Sequence, residues 1–319
     1  MKERFSSEKY TVIQSLEKAG LDERQAGIVA DCLVTADEWG VTSHGVRILP
    51  SHLDRLCRGA YNTKPTFRIL KETPTLAVVD GDNSFGFVSA AFCMDMAMKK
   101  AKEVGIFQVF SRNNNTPGPA FYYPLKACME NMIGIFFCNS PAQMAPFGGK
   151  KKMLGTNPFA AAIPVPGADP LIIDMATSVV AKSKFKEYKE AGKQLPDGWA
   201  LDKNGQPTND PDKGMDGFLL PMAGFKGYGI SLLIDILAGL LSGSAFLNNV
   251  GRFYSENTNS MNIGFTCIAI NPYLIFGDNY DKAINEYIET LRNSERAEGK
   301  SIVLPGDDRL SFLHNNRKE

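Results

Sequence analysis

Between residues 7 and 56 the chain reads as helix with no strand-like run, and from residue 75 onward short apolar runs alternate with helical stretches. That change of period limits the fold more than anything else. Extended runs fall at 75–80, 106–110, 133–138, 159–165 and 171–174, and helical patterns at 89–102, 118–130 and from 177 to about 191. Strands alternating with helices predict an α/β domain over 73–229. Helical segments flank it, 1–72 before it and 230–319 after it, the second packing with the first. Asp22 followed by Gln25 is a capping-box variant, and Ala26, Val29, Ala30, Leu33 and Val34 share one face of the helix it opens. A polar excursion at 196–208, with Asn204-Gly205 as a tight turn, interrupts the α/β pattern.

Composition removes several classes of function. Lys plus Arg and Asp plus Glu stand at 35 each, so no net field gathers nucleic acid or an anionic membrane. The six cysteines are scattered without a Cys-x-x-Cys pair and read as reduced thiols of a cytoplasmic protein. The longest apolar stretch, 230–241, carries Asp235 and falls short of the roughly 20 residues that span a bilayer. No targeting segment is expected. With three histidines in the whole chain, a zinc site is not expected either.

The familiar nucleotide and hydrolase motifs are missing. Gly227-Tyr228-Gly229 has Leu232 where Gly-x-Gly-x-x-Gly needs its third glycine, and Gly299-Lys300-Ser301 has Ser294 where a phosphate loop needs its first. Two glycine-bounded turns remain. In the first, Gly40 closes a helix and Ser43-His44-Gly45 precedes another whose apolar face is Leu49, Leu53 and Leu56. Ser43 is the expected N-cap, and His44 in the first turn would be kept neutral by the helix dipole and so fit for proton transfer. On spacing alone, an ordinary surface or core histidine is the favoured reading. In the second, Gly224-Phe225-Lys226-Gly227 opens an apolar helix, where backbone N–H groups and Lys226 suit a phosphate or carboxylate. A tight turn with a solvated lysine fits equally. The run Lys150-Lys151-Lys152 reads as a solvated loop.

Ala36-Asp37, Ser43-His44-Gly45-Val46, Pro50 and Asp54-Arg55-Leu56 together resemble the signature of the malate/L-lactate dehydrogenase family, whose fold is not the Rossmann one. Further segments similar to that family follow in order: Asn139-Ser140-Pro141, Leu154-Gly155-Thr156-Asn157-Pro158, Asp174-Met175-Ala176-Thr177-Ser178, Gly198-Trp199-Ala200, Lys226-Gly227-Tyr228-Gly229 and Leu304-Pro305-Gly306-Asp307. The resemblance implies a non-Rossmann NAD(P)-binding α/β domain plus a helical domain formed from both chain ends. It also implies a homodimer, and NAD or NADP in a cleft between the domains. It makes Ser140, Asp174, Met175, Ala176, Gly224, Pro305, Gly306 and Asp307 cofactor-binding positions, with Lys226 beside them. Asp174 reads equally as a helix-start residue. Two positions depart from the family pattern: Ile48 stands where the substrate-gripping arginine is usual, with Arg47 one residue earlier, and Thr116 stands where many members carry a histidine.

The expectation is therefore an oxidoreductase that interconverts a small 2-hydroxy acid and its 2-oxo acid. His44 carries the proton with Ser43 beside it, and Arg47, His52, Arg112 and Thr116 are candidates for substrate binding. Two alternatives stay open. One is a same-fold reductase for a ureido acid, a diketo sugar acid or a cyclic imine; the other is a dinucleotide-binding protein without catalysis.

Overall fold

The computed structural model describes residues 2–255 and 259–318. Helices α1 (Lys2–Lys18) and α2 (Glu23–Glu38) open the chain. The capping box forms as the sequence predicts: Asp22 accepts the Gln25 amide at 2.8 Å, and Gln25 Nε2 donates back to Asp22 at 2.9 Å. Ala26, Val29, Ala30, Leu33 and Val34 are all buried. Two 3-10 turns, Thr42–His44 and Val46–Ile48, lead to α3 (Leu49–Cys57).

Then follow β1 (Arg68–Glu72), β2 (Leu76–Asp80), α4 (Gly86–Val104), β3 (Ile106–Asn114), α5 (Tyr122–Met129), β4 (Ile133–Cys138), β5 (Phe159–Ile163) and β6 (Leu171–Met175). A smaller body comes next, with α6 (Ser183–Glu190), β7 (Ala200–Leu201), β8 (Pro207–Thr208), α7 (Pro211–Asp216) and β9 (Phe218–Leu219). The chain continues through α8 (Phe225–Ile234), β10 (Ile263–Ile270), α9 (Pro272–Phe276), α10 (Tyr280–Arg292) and α11 (Asp307–Lys318).

Seven strands form one sheet in the order β1-β2-β3-β10-β4-β5-β6. Only β2 and β3 run parallel; the other neighbours are antiparallel. A doubly wound parallel nucleotide fold is thereby excluded, and the mixed α/β class holds. Strand β10 lies in the middle, Cys267 pairing with Val109 on one side and Phe136 on the other. The segment 230–319 thus completes the sheet as well as packing on the N-terminal helices through Leu310 and Leu313 of α11. Phe107, Phe136 and Phe265 on the central strands, and Ala90, Met94 and Ala97 on α4, belong to the same core. The smaller body has its own core of Met144, Leu154, Phe185, Leu195, Ala200 and Leu219.

Two elements differ from the sequence reading. The helix expected from 177 starts only at Ser183, because the Thr177 amide and hydroxyl both donate to the Thr156 carbonyl, at 2.8 and 2.9 Å, and hold that stretch extended. The apolar stretch after Gly224 forms α8 and then a π-helical turn, Asp235–Leu240. Asp235 faces inward with 3% exposure, its carboxylate accepting the Leu247 amide at 3.0 Å.

Candidate active site

The turn holding His44 is built by Asp37, near the end of α2. Its carboxylate accepts the Val46 amide at 2.7 Å, and a Cβ on Gly45 would come within 1.9 Å of its Oδ1. Only glycine lets the backbone lie that close. This arrangement leaves Ser43 a different task from the N-cap expected of it. Helix α3 begins six residues later at Leu49, no side chain caps it, and the Ser43 hydroxyl lies 2.9 Å from His44 Nδ1 instead. The imidazole keeps a face open to solvent, yet enough protein surrounds it that desolvation lowers its pKa. Arg47 and Arg309 lower it further, while the Asp174 carboxylate opposes them.

Asp174 ends β6, and its neighbours draw most of the expected cofactor positions into one rim of the sheet. Ser140 leaves β4 beside it: its amide donates to Asn157 Oδ1 at 3.0 Å, and its hydroxyl lies 3.4 Å from that of Thr156. Thr156 in turn accepts from Thr177, next to Ala176. The Thr177 carbonyl accepts the Met222 amide at 2.9 Å, and the Pro221 carbonyl accepts that of Gly224 at 3.2 Å. A chain of hydrogen bonds therefore links Ser140 through Thr156 to Thr177, the residue after Ala176, and on to the Pro221-Met222 turn that precedes Gly224. Met175 is 41% exposed on this rim. Pro305 joins it by accepting the Ile172 amide at 3.2 Å, and Gly306, at φ 98°, lies against Ile172 so closely that a Cβ would stand 3.1 Å away. The Asp307 carboxylate is already engaged, by both terminal nitrogens of Arg292 at 2.5 and 2.6 Å and by the Leu304 amide at 2.8 Å. It ties α10 to the start of α11 there.

The residues fit a dinucleotide at two points. Gly224 stands at φ 62° and ψ −122°, backbone that an L side chain rarely adopts, and it opens α8 without any side-chain cap. The helix start, with exposed Lys226 in its first turn, is thus ready for an anion. Beside the histidine turn, a cavity of about 410 Å³ is lined by Trp39, Ser43, Arg47, Lys184, Asp308 and Arg309, among others. Among the described residues no group of three or more His, Cys, Asp or Glu side chains is arranged to hold a metal ion.

Three of the expected substrate residues are engaged with partners of their own. Arg112 reaches Asp80 at 3.3 Å across the ends of β3 and β2. His52 has no exposed surface; it sits among Tyr61, Phe85, Phe87 and Phe253, with Nδ1 3.1 Å from the Tyr61 hydroxyl, and offers a substrate no contact in this conformation. Burial first, then the Arg55 charge, lowers its pKa to about 3. Thr116 is half-buried, its hydroxyl 3.5 Å from the Gly118 amide. Ile48, in the position usual for arginine, packs against the core.

Sequence reasoning missed Arg309. From α11 it donates to Asp174 Oδ2 at 2.6 Å, stacks over the Phe121 ring at 5.3 Å and lines the cavity with Ser43 and Arg47. The signal was present, since Arg309 follows two residues after Leu304-Pro305-Gly306-Asp307, but an ion pair to a residue 135 positions away leaves no local pattern.

A family profile described as malate/L-lactate dehydrogenase matches residues 4–319. An L-sulfolactate dehydrogenase of Methanocaldococcus jannaschii is 40% identical over 302 residues, covering 94% of this chain and 87% of its own. The solved structure of sulfolactate dehydrogenase from that organism aligns with a TM-score of 0.91 at 39% identity, over 98% of this chain and 90% of that one. A malate dehydrogenase of Pyrococcus horikoshii is 40% identical over 293 residues, 89% of this chain and 81% of its own. The NAD(+)-dependent ureidoglycolate dehydrogenase of Escherichia coli K12 is 35% identical over 293 residues, 91% and 83% of the two chains.

Proposed function

The chain belongs to the malate/L-lactate dehydrogenase family and is an oxidoreductase using NAD or NADP, and from that premise we propose that it interconverts a small, malate- or lactate-like 2-hydroxy acid and its 2-oxo acid. The observation that carries the proposal is the His44 imidazole, held by Ser43 at 2.9 Å and set in the field of Asp174, near the end of the strand that leads into Met175 and Ala176.

The bound nicotinamide supplies or accepts the hydride. The protein's part is to manage the proton and the charges. With the Ser43 hydroxyl accepting from Nδ1–H, the neutral imidazole presents a free Nε2, which takes the substrate hydroxyl proton in oxidation; in reduction the imidazolium so formed gives that proton to the substrate oxygen and returns to the neutral ring. Its lowered pKa favours the neutral ring, the form that accepts the proton in oxidation, and makes the imidazolium a stronger acid for reduction. Arg47, exposed and without an ion-pair partner among the described residues, holds the substrate carboxylate. Ser140, the backbone of 174–176 and the start of α8 at Gly224 hold the dinucleotide. Ile48 and Thr116 remove two polar groups usual in the family, which favours a substrate held by Arg47 rather than by those positions.

An apolar surface supports the homodimer that the resemblance implies. Phe225, Ile230, Leu233, Ile236, Leu240 and Leu241 along α8 and its π turn are between 39% and 65% exposed, a larger apolar face than a lone soluble chain usually presents. Apart from the exposed Lys226 at its start the face is apolar, so an identical face related by a two-fold axis complements it. The six cysteines are free thiols, which suits a reducing cytoplasm.

The decisive assay follows NAD(P)H absorbance with malate- and lactate-type 2-oxo acids, ureido acids, diketo sugar acids and cyclic imines. Turnover of a 2-oxo acid is expected, and His44→Ala should lower kcat by about 10²- to 10⁴-fold while leaving dinucleotide affinity in place. Turnover restricted to imines or sugar acids would replace the substrate class. Binding without turnover of any substrate would leave a non-catalytic dinucleotide-binding protein.

A further inference from the structure

One cluster of charge is absorbed by neither the fold nor the proton path. Lys152, from the three-lysine loop, donates to the Asp216 carbonyl at 3.2 Å and lies over the Phe218 ring at 5.8 Å. Lys182, just before α6, donates to Gln143 Oε1 at 3.1 Å. Arg252 belongs to the segment after α8 and is exposed. None of the three has a carboxylate within ion-pair distance among the described residues.

Strand β9 brings the two lysines together: Lys152 reaches Asp216 and Phe218, and Gln143, which Lys182 holds through its side chain, accepts the Leu219 amide on its carbonyl at 3.1 Å; the charge of Arg252 acts on both. Burial lowers Lys182 to about 8, with Lys152 and Arg252 adding to the effect and Asp216 opposing it; Lys152 is lowered by burial and then by Arg252. Lys152 and Lys182 are half-buried, Arg252 is exposed, and Asp216 faces them with a single negative charge; a protein has reason to keep such an excess of positive charge where a ligand supplies the rest of the anion. The position agrees. Gln143 lies three residues beyond Ser140, and Lys182 lies four beyond Ser178, which pairs with Pro221 just ahead of Gly224. The cluster therefore stands beside two of the segments assigned to the dinucleotide.

We propose that Lys152, Lys182 and Arg252 form an anion site that takes a phosphate group of the bound dinucleotide, an inference that rests on the dinucleotide reading above. Lysine ammoniums act as point charges toward phosphate, and three of these cations match a group carrying up to two negative charges better than they match a single carboxylate. Two phosphates share this chemistry, the pyrophosphate present in both cofactors and the 2′-phosphate of NADP.

The test is direct binding, read by nucleotide fluorescence as NADH and NADPH are titrated into the full chain and its variants. In Lys152→Gln/Lys182→Gln the Kd should rise at least tenfold and depend less on salt than in the parent. Lys152→Arg/Lys182→Arg, which keeps the charge, should stay within about threefold of the parent. Loss confined to NADPH assigns the 2′-phosphate; equal loss for both assigns the pyrophosphate; either result supports the site. Affinities for both nucleotides within twofold of the parent overturn the site and leave the dinucleotide reading intact, whereas a parent protein that binds neither overturns both. Should the double variant fail to fold, Arg252→Gln, at an exposed position, is read by the same criteria.

Discussion

At the scale of single residues, the charges around His44 make an opposed set. Arg309 lowers the imidazole pKa directly, and it also occupies the Asp174 carboxylate that would raise it. Arg309→Gln removes a cation and frees an anion, and both changes favour the protonated ring. The limb of the kcat/KM profile governed by His44 is therefore expected to move to higher pH; a profile that stays in place or moves to lower pH would exclude this coupling. His52 illustrates the other kind of histidine. Its folded pKa of about 3 lies below the ordinary 6.5, so between those values the unfolded chain binds a proton that the folded chain refuses. Stability must fall as pH drops from 6.5 toward 3, by about 1.4 kcal/mol per unit from this one group. His52→Phe, a substitution into a pocket already made of aromatic rings, should flatten melting temperature against pH over that range; an equally steep acid loss would show that other groups control it.

At the scale of elements, α8 depends on the residue before it. A Cβ on Gly224 meets nothing nearer than Phe147 Cε2 at 4.0 Å, so Gly224→Ala carries no clash, only the backbone penalty of φ 62°. A loss of about 1–3 kcal/mol in chemical denaturation, together with weaker dinucleotide binding, is the expected outcome. Unchanged stability would mean the turn relaxes into another conformation. Elements of this kind differ in how much of them the sequence discloses. The α2 cap was legible because Asp22 and Gln25 are three residues apart and need nothing else. Strand β1 was not, since all five of its residues are exposed on the sheet edge and no alternation marks it. The Ser43 hydroxyl was assigned to a helix start on local grounds, and an Asp37 carboxylate contributed by the preceding helix changed where that helix begins.

At the scale of the whole molecule, the mixed α/β class and the family were readable from ordered motifs, while the position of β10 between β3 and β4 was not. Pairings that join residue 267 to residues 109 and 136 are decided by the assembled sheet, and no local period announces them. The same limit applies to assembly. The apolar run at 230–241 reads as an apolar helix with no sign of which face meets water, and Leu233 is 54% and Leu240 50% exposed in the single chain. Two leucines with half their surface in water on one largely apolar face are consistent with a partner that excludes that water. If that partner is a second copy, the protein sediments at twice its 35.0 kDa chain mass. Leu233→Asp/Leu240→Asp should then sediment as a single chain, because a two-fold interface brings each new carboxylate toward its symmetry mate without water to screen it. In the isolated chain those side chains point to solvent, so far-UV circular dichroism should be unchanged and the variant should remain folded. A parent protein that sediments as one chain would assign the face to something other than self-association.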